Sequence, residues 1–260
     1  MRHLLFVNVS LMFLFVLAGC HWRPEPEPQI VLPQLDILPD PNVTVVRGEY
    51  QAKAIDAAGG IQAWMKVAKI ERNCVVTFYM PDGSYYLTEQ KHEVFPWSNS
   101  LQVSSKEPQG SYAWQYLNGR FKSLEGCNWS SCLPADLDPN SFAKALLDIT
   151  TVPARFFDSL SVFSNETRPT RLEGQIYFAI SQICLQAGSE VRGFFYQNRD
   201  SALMDITAFS SVNSDESIAV RGYNYGKADN FGIILPNKIE IFKSGIDGIF
   251  QKRIVKMEYK

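Results

Sequence analysis

From Ile70 to Tyr259 the apolar side chains recur at every second position in run after run, and that alternation leaves few folds open. Ile70, Cys74, Val76, Phe78 and Met80 alternate with Glu71, Asn73, Thr77 and Tyr79, and only Arg72 and Val75 are out of step. A period of two is that of a strand with one buried face. Pro81-Asp82-Gly83-Ser84 supplies a turn, and further strands are expected over 85–95, 99–105, 111–117 and 120–124. Asn118-Gly119 is a hairpin signal between the last two. The pattern resumes over 172–184, where Leu172, Ile176, Phe178, Ile180 and Cys184 alternate with Glu173, Gln175 and Ser181. Runs near 191–199, 202–209, 216–225, 232–243 and 252–259 follow, about ten or eleven strands in all. Strands do not alternate with helices, which argues against a parallel α/β sheet.

Two stretches depart from this rhythm. Over 50–67, Ala-rich residues before Gly59-Gly60 predict a helix that stops at the glycines. Ile61, Trp64, Met65 and Val67 then predict a second, short helix with one apolar face. Farther on, Ser141 is expected to cap a helix on which Phe142, Ala145, Leu146 and Ile149 share a face, with Pro153 ending or kinking it and another helical turn or two over 154–160. The fold class that follows is mainly β, of the α+β kind. One large curved antiparallel sheet with helices covering its concave face is the economical arrangement. Ile70, Val76, Phe78, Ile176, Phe178, Val255 and Met257 are candidates for the inner face, and Phe142, Leu146, Phe156 and Phe157 for a lid. For each of them plain core packing is the commoner role of such a residue, and ligand contact the rarer. If the helices fill the concave side only in part, these residues line an apolar cavity able to take acyl chains. Arg72, on the apolar side of its strand, is either a polar anchor for such a ligand or an arginine satisfied within the fold.

The N-terminus says where the domain is held. Leu4 to Leu17 is almost wholly apolar, with Arg2 and His3 before it and a Pro-rich polar segment after it, the layout of a secretory signal peptide. The run is shorter than the roughly 20 residues of a spanning helix, and Asn8 and Ser10 interrupt it. Leu17-Ala18-Gly19-Cys20 closes it and resembles the lipobox of bacterial lipoproteins. The resemblance implies cleavage before Cys20, a lipid on its sulfur, an acylated amine (palmitate) and attachment to a membrane outside the cytoplasm. His21, where an Asp would signal inner-membrane retention, implies the outer membrane, facing the periplasm. The expected parts are a signal peptide over 1–19, a lipidated N-terminus and linker over 20–48, and a β-domain over 49–260. Six of the 14 prolines, at 24, 26, 28, 33, 39 and 41, make the linker an extended, semi-rigid spacer.

Beyond Cys20 stand Cys74, Cys127, Cys132 and Cys184, an even number that permits two disulfides in an exported chain. Cys127 and Cys132 share the short polar loop CNWSSC and are expected to pair, which leaves Cys74 with Cys184. Their spacing is not CxxC, so neither a redox motif nor a zinc site is expected. Without its first 19 residues the chain has 24 basic and 27 acidic side chains, and nothing points to nucleic acid. Aromatic residues reach 13 %, which suits a large β-core or a greasy cavity. The mature chain has only His21 and His92, and His92, in Gln-Lys-His-Glu-Val, reads as solvent-facing. No Gly-x-Ser-x-Gly, P-loop or histidine cluster is present, so neither an enzyme, a cofactor nor a metal is expected.

The order of elements is similar to that of the lipoprotein-carrier superfamily, the LolA/LolB-like proteins. Residues 54–70, Ala-Ile-Asp-Ala-Ala-Gly-Gly-Ile-Gln-Ala-Trp-Met-Lys-Val-Ala-Lys-Ile, resemble the opening of many exported members, and Leu235-Pro236-Asn237-Lys238-Ile239 before the last hairpin resembles their close. The resemblance covers about 49–260 and contains no catalytic motif. It implies a helix-lidded incomplete barrel whose hydrophobic cavity binds or receives a lipid or lipoprotein acyl chain. The alternative is a structural or scaffolding envelope lipoprotein that binds a protein partner or senses envelope stress.

Overall fold

Each strand of the sheet pairs with its sequence neighbour, except where the N-terminal and C-terminal strands meet. The computed structural model describes residues 35, 37–39, 48–107, 110–125, 137–157, 161–186, 189–211, 217–228, 231–244 and 250–260. Cys20, the signal segment, Cys127 and Cys132 lie outside the described residues. Helices α1 (Glu49–Ala57) and α2 (Ile61–Trp64) lead into β1 (Ile70–Tyr79), β2 (Tyr85–Phe95), β3 (Ser100–Glu107), β4 (Gly110–Leu117) and β5 (Arg120–Glu125). Helices α3 (Pro139–Thr150) and α4 (Val152–Arg155) follow. The chain then runs through β6 (Ser161–Leu172), β7 (Gln175–Gln186), β8 (Ser189–Asn198), β9 (Met204–Ser211), β10 (Ser217–Ala228), β11 (Ile233–Ser244) and β12 (Phe250–Tyr259). All form one 12-stranded sheet in the order β5-β4-β3-β2-β1-β12-β11-β10-β9-β8-β7-β6, and every pairing is antiparallel. Beta5 and β6 are the two edges, so the sheet curls without closing.

The expected incomplete barrel is therefore present, with one strand more than the upper expectation. The additional strand is β6, which lies between the helical turns expected over 154–160 and the strand expected from Leu172, where no element was expected. Leu172 ends β6, and Glu173-Gly174 (φ 46° and 83°) makes a tight hairpin turn into β7. Beta6 reads Ser-Val-Phe-Ser-Asn-Glu-Thr-Arg-Pro-Thr-Arg-Leu, too polar for a clean alternation, and a strand interrupted by Pro169 belongs at an edge. Asn118-Gly119 (φ 52° and 76°) forms the hairpin its sequence predicts.

Register sets the faces. Ile70, Cys74, Val76 and Phe78 of β1 stand beside Val94, Gln90, Thr88 and Tyr86 of β2, and Val76 and Phe78 beside Met257 and Val255 of β12. Ile70, Val76, Phe78, Val255 and Met257 are all buried in the main core. Ile176 and Phe178 are only half-buried; Phe178 packs on Tyr50 of α1, ring centroids 4.8 Å apart. Tyr177, between them, is fully buried in a separate cluster with Tyr196 and Ile206, so β7 buries side chains on both faces.

Alpha1 and α2 dock at the start of β11. The Ala58 carbonyl accepts from Ile234 N and from Trp64 Nε1, both at 2.9 Å. Gly59 has φ 109°, and a Cβ there would stand 2.7 Å from the Gly232 carbonyl oxygen, so only glycine fits this crossing. Alpha3 is capped three residues before the expected Ser141: Asp138 accepts from Ser141 N at 2.8 Å, with Pro139 in the first turn.

The expected Cys74–Cys184 disulfide is not formed, and both residues are buried thiols. Beta12, β11, β10, β9 and β8 lie between their strands in the sheet, and Cys74 packs instead against His92.

Candidate functional site

The connection between the two edge strands carries α3 and α4, and α3 lies inside the curl. It touches β3, β4 and β5 on one wing and β9, β10 and β11 on the other. Every residue from Phe142 to Thr150 is buried. Phe142 packs between Phe78 and Trp114 (6.0 and 5.8 Å between ring centroids), and Leu146 is 0 % exposed. Of the four lid candidates, Phe142 and Leu146 are on α3, while Phe156 and Phe157 follow α4. Phe156 joins a second cluster with Ile180 and Phe195, and Phe157 meets Trp97 edge-on at 5.5 Å. Arg155, 2 % exposed, ties α4 to the β2–β3 turn through Asn99 Oδ1 and the Pro96 carbonyl. The concave face is largely apolar and, over the described residues, packed around α3. A void of about 20 Å³, room for a single water, lies at the seam of α1, α3 and β10–β11.

Alpha3 also carries a buried ion pair. Lys144 and Asp148 are 5 % and 4 % exposed, bonded to each other, and the ammonium stands 5.1 Å from the Phe209 ring centroid. Burial opposes the lysine's charge, but the Asp148 carboxylate outweighs it and holds the ammonium above the ordinary lysine range.

A polar chain crosses the concave side of β1–β4 and β12. Tyr259 Oη is 3.0 Å from His92 Nδ1, His92 Nε2 is 2.9 Å from Gln90 Oε1, and Gln90 Nε2 donates to Tyr112 Oη at 2.7 Å. Thr88 Oγ1 is 3.2 Å from Tyr112 Oη and 2.8 Å from Ser105 Oγ, which donates to the Glu89 carbonyl at 2.7 Å. One assignment satisfies every link. Tyr259 donates to Nδ1, Nε2–H donates to Gln90, and each hydroxyl passes its hydrogen onward to the carbonyl. Arg72 stacks on the Tyr259 ring at 4.0 Å and donates to the Pro236 carbonyl (2.6 Å) and Asn237 Oδ1 (2.7 Å), so it is satisfied within the fold.

His92 is thus not solvent-facing: it is 1 % exposed. The charged neighbours that suggested otherwise, Lys91 and Glu93, alternate away from it and pair with Glu71 and Lys69 outside. Burial, helped by the Arg72 charge, lowers its pKa to about 3, and burial pushes the Cys74 thiol 3.5 Å away up to about 12. At neutral pH the imidazole is uncharged and the proton stays on sulfur, so this Cys–His contact holds no thiolate.

This has a consequence in acid. A histidine whose folded pKa lies below its unfolded value of about 6.5 contributes full stability above that value. Its contribution is lost as pH falls, because the unfolded chain takes a proton the folded one refuses until about pH 3. The slope is at most about 1.4 kcal/mol per pH unit. Urea midpoints between pH 6.5 and 4.5 should fall more steeply for the native chain than for His92→Gln; parallel curves would contradict the assignment.

No model of a known protein family matches the sequence, and no curated protein matches it. Among solved structures, it is similar to a LolA superfamily protein from Nitrosomonas europaea. The TM-score is 0.53 at 14 % identity, covering 83 % of this chain and 92 % of that one. Lower scores go to an outer membrane lipoprotein-sorting protein domain from Vibrio parahaemolyticus (0.44 at 11 % identity, covering 81 % and 91 %) and a DUF1329 family protein from Desulfovibrio piger (0.46 at 9 %, covering 82 % and 92 %). By its open 12-strand curl with helices set into the concave side, the chain has a LolA/LolB-like fold.

Proposed function

We propose that the protein is a non-catalytic lipoprotein of the bacterial envelope that binds or receives a lipid or lipoprotein acyl chain on the concave face of its sheet. One observation carries this reading. The sheet leaves its apolar inner face unclosed, and a single discrete helix, α3, occupies the space instead of the other wing of the sheet. An acyl chain that replaced α3 against Phe78, Val76, Val255 and Met257 would meet an apolar surface already built. The state with α3 in place is then the empty carrier, and a ligand binds by shifting the population toward a state with α3 displaced. The Leu-Ala-Gly-Cys20 sequence supports attachment by lipid at the outer membrane, with residues 20–48 as the tether. Among the described residues no helix is long and apolar enough to cross a membrane.

The anchoring arm is tested by growing cells with labelled palmitate. Label should enter the native chain, and Cys20→Ala should lose both label and membrane attachment. Attachment unchanged in Cys20→Ala would overturn it.

A second reading rests on the convex side, where Val162 (69 % exposed) stands opposite Ile183 and Phe194 is 46 % exposed. Such a patch suits a scaffolding role toward a protein partner. In-cell cross-linking decides: a Phe194→Glu chain that captures the same partners as the native one would remove this reading.

A further inference from the structure

Beta9 pairs with β10 only as far as Ile206 opposite Arg221, whereas β10 runs on to Ala228 with β11 alone. Three buried polar atoms without a hydrogen-bond partner stand around this gap: Asp205 Oδ1, Arg221 Nε and Tyr225 Oη. Their remaining atoms are engaged, Asp205 Oδ2 by Asn198 at 3.4 Å and the Arg221 guanidinium by Glu173. Immediately inside lies the small void, walled by Ala54, Ala58, Trp64, Met204, Leu235 and Tyr225. Tyr225 belongs to both places. Asn224, at φ 53°, breaks the strand's alternation just before it. The Tyr225 hydroxyl lies over Gly222, where a Cβ would be only 2.3 Å away, so that glycine makes the room. Buried polar atoms are satisfied in nearly all native structures, and here Tyr225, which interacts electrostatically with Asp205 and Arg221, also lines the apolar void, so a polar gap adjoins an apolar pocket as an amphiphile would need.

Resting on the carrier reading, we infer that this gap is the head-group subsite of the acyl ligand, and that it takes a neutral, hydroxylated head of the acylglycerol class. The tail enters at the void beside Trp64, widening it as α3 yields. The head then lies where Arg221 Nε donates, Asp205 Oδ1 accepts, and the Tyr225 hydroxyl does either. Arg221 is already neutralised by Glu173 and faces a second carboxylate, Asp205, so no positive charge is left over for an anionic head. Burial raises the Asp205 carboxyl to about 6, against the pull of Arg221, which further disfavours a second negative charge there.

The test uses the full chain carrying Cys20→Ala, titrated with a monoacylglycerol and with a fatty acid that share the same bromine-labelled chain. Bromine quenches tryptophan, and Trp64 lines the void. The glyceride should quench at about one-tenth the concentration of the fatty acid, and the quenching should be clearly reduced in Trp64→Phe, leaving the part that comes from Trp114 behind α3. Tyr225→Phe should weaken the glyceride about fivefold, the size of one lost hydrogen bond, and leave the fatty acid unchanged. It should also melt no lower than the native chain, since the deleted hydroxyl has no partner. Equal quenching by the two ligands, an unaffected Tyr225→Phe, or quenching undiminished in Trp64→Phe overturns the subsite and leaves the three atoms to ordered water only. If neither ligand binds at all, the carrier reading on which the subsite rests falls as well.

Discussion

Asp148→Ala is expected to destabilise the protein by about 3–5 kcal/mol, far more than loss of an ordinary i,i+4 helix pair. The reason is position. Asp148 is 4 % exposed on α3, and its loss leaves the Lys144 ammonium, 5 % exposed, buried against the Phe209 ring without its carboxylate partner. The companion double variant, Lys144→Met with Asp148→Leu, should be neutral or more stable than the native chain, because the desolvation of two charges offsets their attraction. Urea unfolding followed by circular dichroism measures both. A mild Asp148→Ala, below about 1 kcal/mol, would show the pair to be hydrated.

The pair also bears on opening. Both charges ride on one helix, so lifting α3 from the sheet returns them to water without separating them. An apolar helix would regain nothing of the kind. The double variant should therefore take up labelled fatty acid more weakly than the native chain.

The second large effect is expected at Leu146. It is 0 % exposed in the middle of α3, and Leu146→Ala should cost about 3 kcal/mol in transfer and cavity terms. A void lined by aliphatic and aromatic groups stays dry and accepts apolar molecules. Uptake of a labelled fatty acid should accordingly rise, since a helix held less tightly is displaced at lower ligand cost. Lost stability with unchanged or weakened uptake would mean that α3 is permanent core and not a stand-in for the ligand.

How much of this was legible in the sequence follows from where each signal lives. Strands with one apolar face announced themselves: Ile70, Val76 and Phe78 on β1 and Val255 and Met257 on β12 stand where the period of two put them. Asn118-Gly119 gave its turn through backbone preference alone. Beta6 was hidden because an edge strand with Pro169 has little need of alternation. His92 was misread because its charged neighbours point outward while Gln90 and His92 point in, and a buried polar stripe has no hydropathy signature. The burial of Lys144 and Asp148 was not legible, since i,i+4 spacing is the same on a solvated helix and an enclosed one. The Tyr225 site depends on a reversed backbone at Asn224 and on a gap between strands, and neither is written in residue type.

The most direct measurement of the central claim is native mass spectrometry of the full chain with Cys20→Ala, purified from cells without added lipid. The account predicts a one-to-one complex with an acyl lipid, lost on delipidation and regained on exposure to a fluorescent fatty acid. A chain that emerges free of lipid and takes up no fluorescent fatty acid would contradict it and leave the concave face, with α3 in place, as nothing more than the core of the fold.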